Sequence, residues 1–262
     1  MKSTFHQKRL ARFSLLVMVL AFSAGAYGQQ GRGAPAPPRS PKDSAPIDLT
    51  GYWVSVVTED WRFRMVTPPK GDFPDWPLNP AGRALANAWD PAKDEAAGNQ
   101  CKGYGAASLM RVPSRYHVTW QDENTLKIEA DAGTQTRLLH FGGAKPSGAR
   151  SLQGYSAAEW QNALGAAGRA ATKGGPPRGG SLKVVTTNLI AGYLQKNGVP
   201  YSEQTTVTEY FDIVKEPDGE QWMVVKTIVD DPMYLTRPHI SSPNLKKQPD
   251  ASGWNPTPCT VR

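Results

Sequence analysis

One carboxylate stands among residues that ought to be buried. In TTVTEYFDIV (205–214), strict alternation puts Val207, Glu209, Phe211 and Ile213 on one strand face, so an acid falls between apolar neighbours. Such a group either meets a base or is held protonated and serves as a general acid or base. Two bases compete for it. Arg137 lies in TQTRLLHF (134–141); Lys226 lies in QWMVVKTIVDD (221–231), shares a face with Trp222, Val224 and Ile228, and is brought near Glu209 by hairpin pairing. A buried pair of this kind fixes strand register. Proton transfer would need a second group, and His140 is the candidate shuttle. It shares parity with Thr136 and Leu138, whereas Arg137 goes with Leu139 and Phe141, so an unbroken strand turns only one of the two inward. Glu209 with His140 or Arg137 is therefore the candidate catalytic set. His117, opposite the more apolar face of Tyr116, Val118 and Trp120, and His239, in a proline-rich tail, are weaker candidates.

The rings outnumber the acids that could do chemistry. Eight tryptophans are many for a chain of 262 residues, and most are expected in the core because each buries ~150–250 Å². In WRFR (61–64), read as extended chain, rings alternate with guanidinium groups. At a barrel mouth that would suit an amphipathic ligand carrying a carboxylate or phenol. The candidate ligand-binding residues are Trp53, Trp61, Arg62, Phe63, Arg64, Trp120 and Trp222. No H-E-x-x-H, G-x-S-x-G, Walker loop or G-x-G-x-x-G occurs, and Ser156 in GYSAAEW has Ala158 where an elbow needs its second glycine. Neither a metal nor a cofactor is expected.

The elements that must position these groups are mostly strands. Residues 1–28 combine Lys2, Lys8, Arg9 and Arg12 with an apolar run from Phe13 to Ala21 and small residues up to Gly28, before Gln29. This is the pattern of a cleavable export signal, and it is too short for a span of ~20 apolar residues. It predicts a periplasmic or secreted protein with no transmembrane segment in the mature chain. The formal charge of +7 includes those four basic residues, so the mature chain carries +3. With no basic block interleaved with stacking rings, nucleic acid is not an expected partner. Residues 29–46 are Pro, Gly and Ser with charges, a tether, and residues 47–262 form one domain. Cys101 and Cys259, an even pair in an oxidising compartment, are expected to form a disulfide.

About seven strands are predicted: 47–57, a meander of 116–121, 125–130 and 134–141, then 181–188, 205–214 and 221–231. Two short helices follow Asn79-Pro80 and Asp90-Pro91, each an N-cap with proline in the first turn. The prolines in 61–80 predict a wrapped loop, the Ala/Gly-rich stretch 162–180 an insertion loop, and the tail 232–262 a surface segment held by Cys259. Together these predict an all-β domain, an antiparallel sheet that closes into a barrel and so removes its edges.

The order of CKGYG (101–105), RVP (111–113), TRLLHF (136–141), GYSAAEW (154–160), LKVVTTN (182–188), VPYS (199–202), TEYF (208–211) and DDPMYLTRP (230–238) resembles a widespread group of secreted bacterial proteins of unknown function. The resemblance runs from Asp48 to Cys259 and implies no catalytic residues. The nearest fold analogy is the lipocalin-like barrel: Gly51-Tyr52-Trp53 is similar to the lipocalin G-x-W, and Thr208-Glu209-Tyr210 to the T-D-Y turn, although here it falls within a predicted strand.

The leading functional expectation is an exported barrel that binds a small apolar or aromatic molecule without cofactor. The alternatives are a cofactor-independent lyase, isomerase or hydratase acting inside the barrel, and an envelope protein that binds a partner through its loops.

Overall fold

The computed structural model describes residues 39–143, 146, 148–162 and 179–262. The segments read as export signal, as the first part of a tether and as most of an insertion at 162–180 lie outside the described residues. Residues 39–46, read above as tether, lie on the barrel: Lys42 pairs with Glu123 at 2.9 Å, and Trp160 Nε1 donates to the Pro41 carbonyl at 2.8 Å.

The first strand, β1 (Gly51–Val56), is followed by a short helix α1 (Trp61–Met65) and then by α2 (Pro80–Ala88) and α3 (Pro91–Ala96). The last two start where their caps predict: Asn79 accepts from Gly82 N at 2.9 Å, and Asp90 accepts from Ala92 N at 3.1 Å. α1 corrects the reading of 61–80 as loop throughout. Two 3₁₀ turns, Gln100–Tyr104 and Leu109–Arg111, lead into the meander β2 (Arg115–Asp122), β3 (Thr125–Ala130) and β4 (Gln135–Phe141).

Then come β5 (Tyr155–Asn162) and β6 (Gly180–Thr187), a separate ribbon of β7 (Gly192–Gln195) and β8 (Val199–Tyr201), the long hairpin β9 (Thr206–Lys215) and β10 (Gln221–Asp230), and finally β11 (His239–Ser241) and β12 (Asn244–Gln248). The chain order β1-β2-β3-β4-β5-β6-β9-β10-β12 returns to β1 and closes a nine-strand barrel. β11 and β12 lie end to end along one edge of β10.

The barrel is mixed where a purely antiparallel one is expected. β5 runs parallel to β4, paired only from Leu139↔Ser156 to Phe141↔Ala158; every other ladder of the barrel is antiparallel. Lipocalins close eight antiparallel strands. The proline-rich tail is likewise more than surface, since β12 is a stave of the barrel.

Inside, the residues fall into layers. One apolar cluster (Trp53, Tyr116, Leu126, Leu139, Leu182, Phe211 and Leu245 among them) fills most of the bore, with Ile47, Trp120, Trp160 and Ile213 packed on it. A second cluster (Phe73, Trp76, Leu189, Leu194, Tyr201, Val207, Val229 and others) joins the opposite end to a cap built from the helices, the 3₁₀ turns and the β7–β8 ribbon. Between them lie Arg137, Ser156, Thr186, Glu209 and Thr227, all buried. The hollow left in the bore, lined by Trp53, Tyr116, Phe211 and Met223 among others, measures about 10 Å³, space for about one water. The barrel is filled. Among the described residues no helix is long and apolar enough to cross a membrane.

A Cys101–Cys259 disulfide ties the tail to the first 3₁₀ turn across 158 residues of sequence. Thr257 N also donates to Asp131 O at 2.9 Å, and Asn255 N to the Asp131 carboxylate at 3.2 Å. Replacing both cysteines by serine is expected to lower unfolding free energy by roughly 4–5 kcal/mol, the loop-closure value for so long a ring. Urea titration of the oxidised wild type beside the double variant measures it, and equal midpoints would assign the tail's docking to its hydrogen bonds alone.

Candidate functional site

Glu209 reaches the interior because β9 alternates, and its partner is Arg137, delivered by the same rule in β4. The guanidinium grips the carboxylate with two nitrogens: Nη1 donates to Oε1 at 3.1 Å and Nη2 donates to Oε2. Nε also donates to Ser156 Oγ at 3.1 Å, and Nη2 to Thr186 Oγ1 at 2.7 Å. Lys226 is not the partner. It pairs in register with Tyr210, stands exposed, and lies over the Tyr210 ring at 4.3 Å; Thr227 is the residue opposite Glu209. With both Glu209 oxygens engaged and neither side chain exposed, this network ties four strands together and faces no space that would admit a substrate.

The other candidates are scattered. His140 sits on the outer face, half-buried, stacked on Tyr155 with ring centroids 4.9 Å apart, away from the interior it would need as a shuttle. His117 also faces outward, stacked on Tyr52 at 4.1 Å and 3.5 Å from the Glu129 carboxylate. Trp53 is wholly buried, its Nε1 donating to the Leu49 carbonyl at 2.9 Å. Trp120 plugs one barrel end with Phe141 and Trp160, and Trp222 lies outside under Lys246. In WRFR the helix α1 replaces the extended alternation: Trp61 is 67% exposed, Arg62 pairs with Asp72 at 2.9 Å, and Phe63 and Arg64 turn toward the protein.

Those last two residues open onto a cleft of about 260 Å³ on the capped end. Phe63, Met65, Val112, Pro113 and Leu194 supply apolar wall; Arg64, Tyr104, Ser108, Arg111 and Lys196 supply polar atoms. Arg64, on α1, is one of the binding candidates of WRFR; the other four are not distinguished by periodicity, because the 3₁₀ turns and the cap ribbon around them have no sheet face to read. A second depression of about 320 Å³, walled by Leu85, Trp89, Tyr193 and Tyr234, is aromatic as well. Its ionic groups satisfy one another, Lys102 and Tyr193 reaching Asp94 at 3.2 and 2.7 Å. In the first cleft they do not.

Arg64 carries that imbalance. Its side chain is 2% exposed, its Nε donates to the Arg111 carbonyl at 2.9 Å, and among the described residues Nη1 and Nη2 find no hydrogen-bond acceptor. Burial, then the neighbouring Arg111 guanidinium, hold it below the ordinary arginine value. Arg111 is answered by Asp60 at 3.1 Å and lies over Trp76 at 5.4 Å. Asp60 itself adopts a left-handed backbone (φ 49°) at the start of α1, a conformation aspartate tolerates better than most residues. Across the cleft, Lys196 Nζ donates to Tyr104 Oη at 3.0 Å and Thr260 N does so at 3.3 Å. Burial pushes the Tyr104 phenol up, but hydrogen bonds from Thr260 and Lys196 and the lysine charge outweigh it, and the phenol lies below its usual value. Among the described residues no group of three His, Cys, Asp or Glu side chains is placed to hold a metal ion.

Behind the cleft, His239 stacks on Trp76 at 3.9 Å, and its Nε2 has no hydrogen-bond partner among the described residues. Burial, then the charges of Arg111 and Arg237 against an opposing Asp60, lower its pKa from 6.5 to about 4. The folded state therefore keeps His239 neutral down to about pH 4 while the unfolded chain takes up a proton near pH 6.5. In that window the unfolded state binds more protons, so stability falls as pH falls.

At ~1.4 kcal/mol per pKa unit the His239 loss approaches roughly 3 kcal/mol by pH 4. Chemical denaturation of His239→Gln between pH 4 and 7 is expected to show a flatter profile than wild type; parallel profiles would contradict the assignment. In the barrel, Glu209→Gln strands a buried cation and is expected to cost ~3–5 kcal/mol, whereas Arg137→Met with Glu209→Leu recovers most of it. Urea midpoints of the two variants test this, and a Glu209→Gln protein as stable as wild type would refute it. No family of known proteins, no curated protein and no solved structure matches the chain.

Proposed function

We propose that this is an exported barrel protein that binds a small apolar or aromatic molecule, and that the molecule sits in the cleft of the cap rather than inside the barrel. The observation that carries the reading is the contrast in space: about 10 Å³ in the bore against about 260 Å³ between Phe63, Met65, Val112 and Leu194. The latter lies just under the ~300–1,000 Å³ usual for small-molecule sites, which suits one ring with a short polar arm. The export signal and the Cys101–Cys259 bridge support an oxidising compartment outside the cytoplasm.

A second reading, a cofactor-independent lyase or isomerase, is favoured by a different observation. Tyr104, with Lys196 3.0 Å from its oxygen, presents a proton acceptor to the same space.

The full chain purified from its own envelope is expected to carry a 1:1 small-molecule adduct in native mass spectrometry. Thr67 is on the rim of the cleft and only partly buried, so Thr67→Trp fills the space without disturbing the core, and the adduct should vanish. A bare wild-type protein, or an adduct that survives in Thr67→Trp, would overturn the proposal. Conversion of that molecule by wild type but not by Tyr104→Phe would favour the enzyme.

A further inference from the structure

The shape of the cleft suggests a small molecule; its charges specify which end of that molecule enters first. The ionisable side chains along its wall are Arg64, Tyr104, Arg111, Lys196 and Arg262, and none is acidic. The nearest carboxylates stand behind the wall and are engaged. Asp60 receives Arg111 at 3.1 Å, and Glu59, 3.8 Å from Arg64 Nη1, accepts from Ser242 N at 3.2 Å on each oxygen.

A guanidinium does not shed its charge in a protein. Arg64 is thus a buried cation whose Nη1 and Nη2 make no hydrogen bond among the described residues, with Glu59 3.8 Å from Nη1, a second guanidinium beside it and an ammonium across the cleft. Burying such a group is costly unless an opposite charge meets it with matching geometry. Two oxygens on one carbon or phosphorus fit a guanidinium fork in parallel hydrogen bonds.

We infer that the cleft takes an oxyanionic head group, a carboxylate or phosphate monoester, which draws the buried Nη1–Nη2 edge of Arg64 round to meet it, with Arg111 and Lys196 flanking it. The apolar body of the same molecule lies along Phe63, Met65 and Leu194. The inference rests on the small-molecule reading of this cleft and narrows it to a ligand class.

Calorimetric titration of the full chain with phenylacetate, phenyl phosphate and neutral phenylacetamide separates the two ideas. At least one anion is expected to bind about 10- to 100-fold tighter than the amide, the factor that charge-assisted hydrogen bonds supply. Arg64→Met should remove the difference between anion and amide, so that the ratio of their affinities falls to about one. Equal affinities of anions and amide in wild type, or a preference that survives Arg64→Met, would overturn the oxyanion assignment and leave the small-molecule reading standing. Failure of all three to bind would overturn both. If Arg64→Met does not fold, the wild-type ratio still decides, and Arg64→Lys, which keeps the charge but gives up the fork, should lose most of the preference.

Discussion

The barrel depends on one guanidinium placed at its weakest joint. Between β4 and β5 the ladder is parallel and spans only residues 139–141 against 156–158, whereas β9 and β10 pair along their whole lengths. Parallel neighbours cannot be joined by a tight hairpin, so the chain between them contributes little to holding the seam. Arg137 stands on β4 beside that seam and donates to Ser156 on β5, Thr186 on β6 and Glu209 on β9. Side-chain bonds thus cross where backbone bonds are few. Their buried charges also fix register: a one-residue slip of β9 would turn Glu209 out to solvent and leave Arg137 uncompensated in an apolar bore.

The same layer decides where a ligand can go. With this charged network between two apolar clusters, the bore keeps a hollow of only about 10 Å³, and Arg137 and Glu209 are engaged with one another and with Ser156 and Thr186. The proposed recognition site lies instead at the end of the barrel, where segments from distant parts of the chain meet: α1, the 3₁₀ turns, the β7–β8 ribbon and the tail held by Cys259. Loops on a rigid scaffold are the usual place for such work. Here the scaffold is unusually closed for a barrel proposed to bind a small molecule, and its cap carries more loose chemistry than its interior.

What was legible in the sequence followed from periodicity and caps. Alternation in 205–214 places Glu209 inward, Asn79-Pro80 and Asp90-Pro91 open helices, and the two cysteines meet. The losses have physical causes. β5 carries Ala157 and Ala158, poor strand formers, and pairs in parallel with a strand it follows at a distance. β12 reads NLKKQ within a proline-rich tail, where only Leu245 marks a buried face. WRFR satisfies an extended alternation and a helical turn equally well, and five residues give no period to choose between them. Parity alone allowed Arg137 or His140 to face inward and left Lys226 as a rival, because which strands become neighbours is a property of the closed sheet. Tyr104 and Arg111 stood in CKGYG and RVP, segments noticed for their resemblance but lying in 3₁₀ turns, where no alternation says which way a side chain points.

Two arginines show how burial divides between structure and recognition. Arg137 is 1% exposed and Arg64 8% exposed as whole residues, so both have surrendered their hydration. Arg137 recovers it from a carboxylate and two hydroxyls, and the result is a closed circuit with nothing left to offer. Arg64 recovers one hydrogen bond, to a main-chain carbonyl, and a long ion pair with Glu59 at 3.8 Å, while the guanidinium of Arg111 adds repulsion. A stabilising arginine that cost this much would be better replaced by an apolar residue of similar size, since well-packed hydrophobic substitutes for buried charges are commonly neutral or favourable. Among the buried polar groups without a partner in the described residues, Arg64 is the one that carries a full charge on two unanswered nitrogens and stands on the wall of the cap's cleft, which is why the proposed ligand is an anion.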